Sequence, residues 1–167
     1  CGDRSTLNSQ NNVGTGTAIT YNKGYLRVEE STPTLTCENA SDYYTVSSAS
    51  SGNKKLSYPI GLITVDEVML AGHAGGVFDG FYNLTKSNNG SYLVTGNSFW
   101  TMTPAGGYFP FGFTYWTADV FYVYGSGCID DLNTGNPNGL RPVVNLKSGV
   151  PVTGSGTKTD PYVVSSD

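Results

Sequence analysis

Phe99-Trp100-Thr101-Met102-Thr103-Pro104 and Gly139-Leu140-Arg141-Pro142-Val143-Val144-Asn145-Leu146 bracket the part of this chain whose reading decides the fold. Phe99–Met102 and Arg141–Leu146 are rich in aromatic, β-branched and apolar residues and are expected as strands. Between the brackets the sequence changes character. Tyr108, Phe109, Phe111, Phe113, Tyr115, Trp116, Phe121, Tyr122 and Tyr124 crowd together with Gly, Asn, Asp and Ser. One side of a small core does not accommodate so many rings. Several are expected to face water or a partner, where rings with few rotatable bonds make effective contact area. The interval from about 105 to 138 therefore reads as a recognition surface mounted on a frame.

Composition sets the outer bounds. A chain of 167 residues is expected to form one domain over 1–167, large enough to bury a core without metal or several disulfides. Hydrophobic residues at 38% and charged residues at 13% are both low, while 22 Gly and 12 Tyr point to a turn-rich, largely β extracellular domain. A net charge of −4, with no Lys/Arg cluster beyond Lys54-Lys55, argues against a nucleic-acid partner. No apolar run reaches the length of a membrane span. No signal peptide is present, so the chain is expected to be a mature or excised piece.

Of the three cysteines, Cys1 lies in a polar segment and Cys37 ends the strand-like Thr34-Leu35-Thr36 run. A Cys1–Cys37 bridge is favoured, which needs an oxidising compartment and leaves Cys128 over. Cys1 followed by Gly and Asp also fits the acylated residue of a bacterial lipoprotein, and the sequence leaves both readings open.

Along the chain, Tyr25-Leu26-Arg27-Val28 reads as a strand or short helix, and Pro33–Cys37, Tyr43–Val46 and Ser91–Val94 as short strands. Thr64-Val65-Asp66-Glu67 is a capping box with acids in the first turn, and Gly72 is a stop. A helix is therefore predicted over 65–71, its apolar face on a sheet. Trp100 is expected as the central core ring. Asp119–Tyr124 reads as a strand with Val120 and Val123 inward, their odd spacing implying a bulge. Val150–Val152 and Pro161–Val164 are expected to close a terminal hairpin around Thr153-Gly154-Ser155-Gly156.

Three stretches together, Tyr58-Pro59-Ile60-Gly61-Leu62-Ile63-Thr64-Val65-Asp66-Glu67 and the two brackets, resemble a bacterial surface-protein family with a C-type-lectin-like domain related to the formylglycine-generating-enzyme fold. Thr153–Thr157 and Asp160–Val163 resemble the family's tail. The resemblance covers about Cys1 to Val164. It implies an α+β fold of short antiparallel strands, long loops and one or two short helices, exported and in many members pilin-like or anchored to the envelope. In some relatives a retroelement diversifies the segment before the Gly-x-Arg strand, and the Tyr, Asn, Asp and Ser content of 108–138 is similar to the product of such mutagenesis. Cys128, and the apolar run Ala105–Phe113, depart from that pattern.

The residues expected to bind are Tyr108, Phe109, Phe113, Tyr115, Trp116, Asp119, Tyr122, Tyr124, Asp130, Asp131, Asn133, Asn136 and Asn138. The tyrosines and Trp116 carry polar handles suited to a surface. The acidic and amide side chains suit adaptable hydrogen bonding or turn chemistry. Calcium would also suit these oxygens, but neither a Glu-Pro-Asn nor a Trp-Asn-Asp signature is present. Arg141 is expected as a structural brace pairing with Asp66 or Glu67. His73 follows a helix end among glycines, and no nucleophile–base pair is legible, so neither catalysis nor a cofactor is expected. The target is expected to be a surface protein or glycan. The alternatives are a filament or coat subunit that uses the same face for assembly, and a calcium-dependent sugar lectin.

Overall fold

In a computed structural model the described residues are 20–42, 60–73, 91–108, 117–144, 146, 148–157 and 159–165. The elements are β1 (Thr20–Tyr21), α1 (Lys23–Glu30), a 3-10 turn (Ala40–Asp42), β2 (Ile60–Leu62), α2 (Val65–Leu70), β3 (Phe99–Tyr108), β4 (Thr117–Val123), β5 (Ile129–Asn133), β6 (Pro142–Val144), β7 (Val152–Thr153) and β8 (Val163–Val164). The architecture is α+β, with antiparallel sheets and two short helices.

The capping box forms. Thr64 Oγ1 accepts from the Glu67 N–H at 3.2 Å, and the Glu67 carboxylate accepts from the Thr64 N–H at 2.7 Å. These bonds satisfy donors that a helix start leaves open. Gly72 at φ +94° ends the helix in the left-handed region. Val65, Val68 and Met69 are buried.

Residues 23–30 resolve to helix, not strand. The following Ser31 is left-handed and its N–H bonds the Val28 carbonyl. Arg27 holds α1 to α2: its Nε and Nη2 donate to the two Asp66 carboxylate oxygens at 2.7 Å each. The Thr34 N–H adds a third bond to Asp66, at 3.0 Å. The expected partner of Asp66 was Arg141. Arg141 instead lies over the Phe99 ring, 4.0 Å from its centroid, and donates to Thr95 Oγ1. It braces the frame through a ring and a hydroxyl, and Glu67 is engaged in its own helix cap.

The main sheet runs β1-β3-β4-β5, all antiparallel, while β2 pairs β6 and β7 pairs β8. Both helices pack on the β3 side that buries Phe99, Thr101, Thr103 and Ala105. Thr103 Oγ1 accepts from the Val65 N–H at 3.0 Å. A Cβ on Gly24 would stand 2.6 Å from Thr103 Cγ2, so the glycine is what lets α1 approach the sheet this closely.

Several strand expectations are corrected. Phe99, at 2% exposure, is a central core ring together with Phe121, whereas Trp100 is half-buried on the opposite face. Adjacent strand residues point to opposite sides, so only one of the Phe-Trp pair reaches the helices. The irregular register lies in β3, between Trp100 and Pro104 and again between Pro104 and Gly106, while β4 and β5 pair without a break. Val123 is thus inward but Val120 is not. Pro33–Cys37 is irregular, with the Thr36 N–H turned onto Thr34 Oγ1. Ser91–Val94 is a turn, its Ser91 Oγ accepting from the Leu93 N–H. Tyr43–Val46 and Cys1 lie outside the described residues.

Candidate functional site

Cross-strand register shows which side chains share a face, because directly opposed residues of an antiparallel pair project to the same side. Trp100 opposes Tyr122, which opposes Asp130, and Pro104 opposes Val120, which opposes Leu132. These two rows make the face turned away from the helices. On the helix side, Phe99 opposes Val123 and Ile129, and Phe121 opposes Asp131.

The first row is continued by Tyr124. Trp100 and Tyr122 meet edge to face, with centroids 5.8 Å apart, and Tyr122 and Tyr124 are 4.7 Å apart at 53°. Such angled contacts suit the ring quadrupole. Trp100, Tyr124, Asp130, Val120 and Leu132 are half-buried. Tyr122 corrects an expectation: placed at the surface by its polar handle, it is buried at 4% exposure. Burial, then a hydrogen bond with Tyr124, then the Asp130 charge push its phenol well above the usual tyrosine range.

Asp130 and Asp131 are neighbours in β5, the first directly across from Tyr122 and the second from Phe121. Asp130 Oδ1 accepts from the Asp131 N–H at 2.9 Å, and burial raises its pKa. Asp131 sits beneath α1, and it lines a narrow crevice with Tyr25, Val28, Glu29, Phe121, Ile129 and also Asp130. Burial, followed by the charges of Asp130 and Asp119, lifts the Asp131 carboxyl to about 6. Asp119, expected to bind, is buried on the helix side. Tyr21 stacks on Tyr25 at 4.2 Å, and Tyr25 lies 6.1 Å from Phe121. Burial and then nearby negative groups raise the Tyr25 phenol as well. Sequence reasoning missed Tyr21, Tyr25 and Glu29. Tyr25 and Glu29 are joined by their spacing of four within α1, whereas Tyr21 comes from β1 and meets Tyr25 only through the fold.

The amides divide by role. Asn133 Oδ1 accepts from the Gly135 N–H at 2.7 Å, and its carbonyl accepts from both the Asn136 N–H and the Asn136 amide. Asn133 and Asn136 build the turn after β5. Asn138 Nδ2 is a buried donor that meets no acceptor. Tyr108 contributes its backbone to β3, and its side chain is outside the described residues, as are Phe109, Phe113, Tyr115 and Trp116 entirely.

His73 follows α2 outside any helix or strand. It is buried at 3% exposure, with Nδ1 2.7 Å from the Gly127 carbonyl. Nδ1 therefore donates, and Nε2 remains an enclosed acceptor without a partner. Cys128 is a buried free cysteine. Among the described residues no group of three His, Cys, Asp or Glu could hold a metal ion, and no helix is long and apolar enough to cross a membrane.

Comparison with protein-family models, with curated proteins and with solved structures finds no match.

Proposed function

We propose that the chain is an exported bacterial ligand-recognition domain of the C-type-lectin-like class. In this reading the ring-bearing face of the sheet meets a surface protein or glycan. The observation that carries it is the asymmetry of the sheet. One face is closed by two helices, whereas the other presents Trp100, Tyr124 and Asp130 half-buried around the Tyr122 ring. Rings at low entropic cost and adaptable polar groups are the usual materials of such surfaces. The domain would sit outside the cell, attached to a pilus or the envelope, with Cys37 bridged to Cys1.

The test is binding of the fluorescently labelled domain to intact bacterial cells, untreated, trypsin-treated or periodate-treated. Binding that trypsin or periodate removes, and that Trp100→Ala with Tyr124→Ala abolishes, is the expected result. Equal binding by wild type and the double variant overturns it.

A second reading, assembly into a filament or coat, is favoured by apolar groups away from that face. Ile60 opposes Val144 and Val152 opposes Val164, and all four are exposed. Concentration-dependent association that Val144→Lys and Val164→Lys abolish would support it.

A further inference from the structure

Resting on the recognition face just proposed, we infer that Trp100, Tyr122, Tyr124 and Asp130 form a half-cage for the guanidinium of an arginine side chain presented by a protein partner. Tyr122 is the floor, buried and in contact with both other rings. Trp100, at 61° to it, and Tyr124, at 53°, are half-buried walls. Rings that meet at such angles leave faces to which a cation is attracted. Asp130 lies directly across from Tyr122, at the edge between the ring row and the crevice beneath α1. Its Oδ1 takes the Asp131 N–H, which leaves Oδ2 for a ligand.

Charge complementarity identifies the occupant. The described cations are all engaged elsewhere: Lys23 with Glu38, Arg27 with Asp66, and Arg141 with Phe99 and Thr95. Neither Asp130 nor Asp131 has an ion pair among the described residues, and burial raises the pKa of both carboxyls. A cation arriving here therefore meets two carboxylates without an ion pair among the described residues, in a partly desolvated setting where attraction is least screened. Of the biological cations, guanidinium fits the geometry best. It is planar and weakly hydrated, lies against ring faces, and still directs N–H groups at a carboxylate. An ammonium is a more strongly hydrated point charge with no flat face to lay against Trp100.

The experiment uses the whole 167-residue chain. Amide shifts are followed by NMR while three acetylated, amidated tripeptides are added: Gly-Arg-Gly, Gly-Lys-Gly and Gly-citrulline-Gly, the last keeping arginine's shape without its charge. The expected result is saturable shifts at 100, 122, 124 and 130 with the arginine peptide. Citrulline should bind at least ten-fold more weakly, and lysine several-fold more weakly. Asp130→Asn should weaken the arginine peptide at least five-fold without lowering the melting temperature, which separates lost charge from lost fold. Equal binding of citrulline, shifts confined to other acidic surface such as Glu38 or Asp160, or an unaffected Asp130→Asn each overturn the cage. If the arginine peptide produces no shifts while cell binding still depends on Trp100 and Tyr124, the cation assignment fails and recognition stands. If cell binding is absent but the cage behaves as expected, the reverse holds.

Discussion

The two faces of the β3-β4-β5 sheet carry nearly the same kinds of residue in opposite relation to solvent. Phe99 and Phe121 on one side are sealed by α1 and α2, whereas one residue away in sequence Trp100 and Tyr122 build an angled ring row on the other. Aromatic content alone does not distinguish a core from a contact surface. What separates the faces is the helical cover, and that cover is fixed by the Arg27–Asp66 pair and by Gly24 lying against Thr103.

The largest effect should come from truncating each face in turn. Phe99→Ala is expected to cost about 3–5 kcal/mol of stability, and it also removes the ring beneath Arg141. Trp100→Ala should cost less than half of that, while abolishing cell binding. Denaturant unfolding checks both, and equal losses would erase the distinction between the faces. Next comes the helical cover. Asp66 is 3% exposed at its side chain, and Asp66→Ala removes two hydrogen bonds of Arg27 and the acceptor of the Thr34 N–H. A loss of about 3 kcal/mol is expected in the same assay, as for other broken part-buried pairs. Gly24→Ala should cost about 1–3 kcal/mol, because Thr103 cannot rotate aside without giving up its bond to Val65.

The smallest effect separates the two carboxylates of β5. Asp131 titrates at about 6 in the folded chain, against about 3.9 unfolded. The native state therefore holds the proton more tightly. Stability should fall as pH rises from about 4 to about 6, and the charged group opposes folding above that window. Asp131→Asn should flatten this part of the stability–pH curve and stabilise the domain at neutral pH by on the order of 1–2 kcal/mol. A wild-type curve already flat between those limits would remove the crevice beneath α1 from the picture.

Local signals were legible where a few adjacent residues carry the whole instruction. Thr64 to Glu67 specifies the start of α2, Gly72 its end, and the Thr153–Gly156 turn the last hairpin. Phase was not legible at Phe99-Trp100, because two neighbouring rings satisfy either inward assignment until the helices choose. The Arg27–Asp66 pair spans 39 residues, so no local pattern announces it. The polar handle that argued for a surface Tyr122 is instead met by Tyr124 within the row. Ser91–Val94 has strand-forming composition, yet a serine hydroxyl bonding the chain two residues on makes a turn the better solution. The β3 irregularities do have a local sign, since both border Pro104, which cannot donate to the ladder.

Thr103 touches both helices with one short side chain: the methyl abuts Gly24 of α1, and the hydroxyl receives the first N–H of α2. Neither helix can therefore slide along the sheet without dislodging the same threonine. A substitution that displaces Thr103 disturbs the seating of α1 and α2 together.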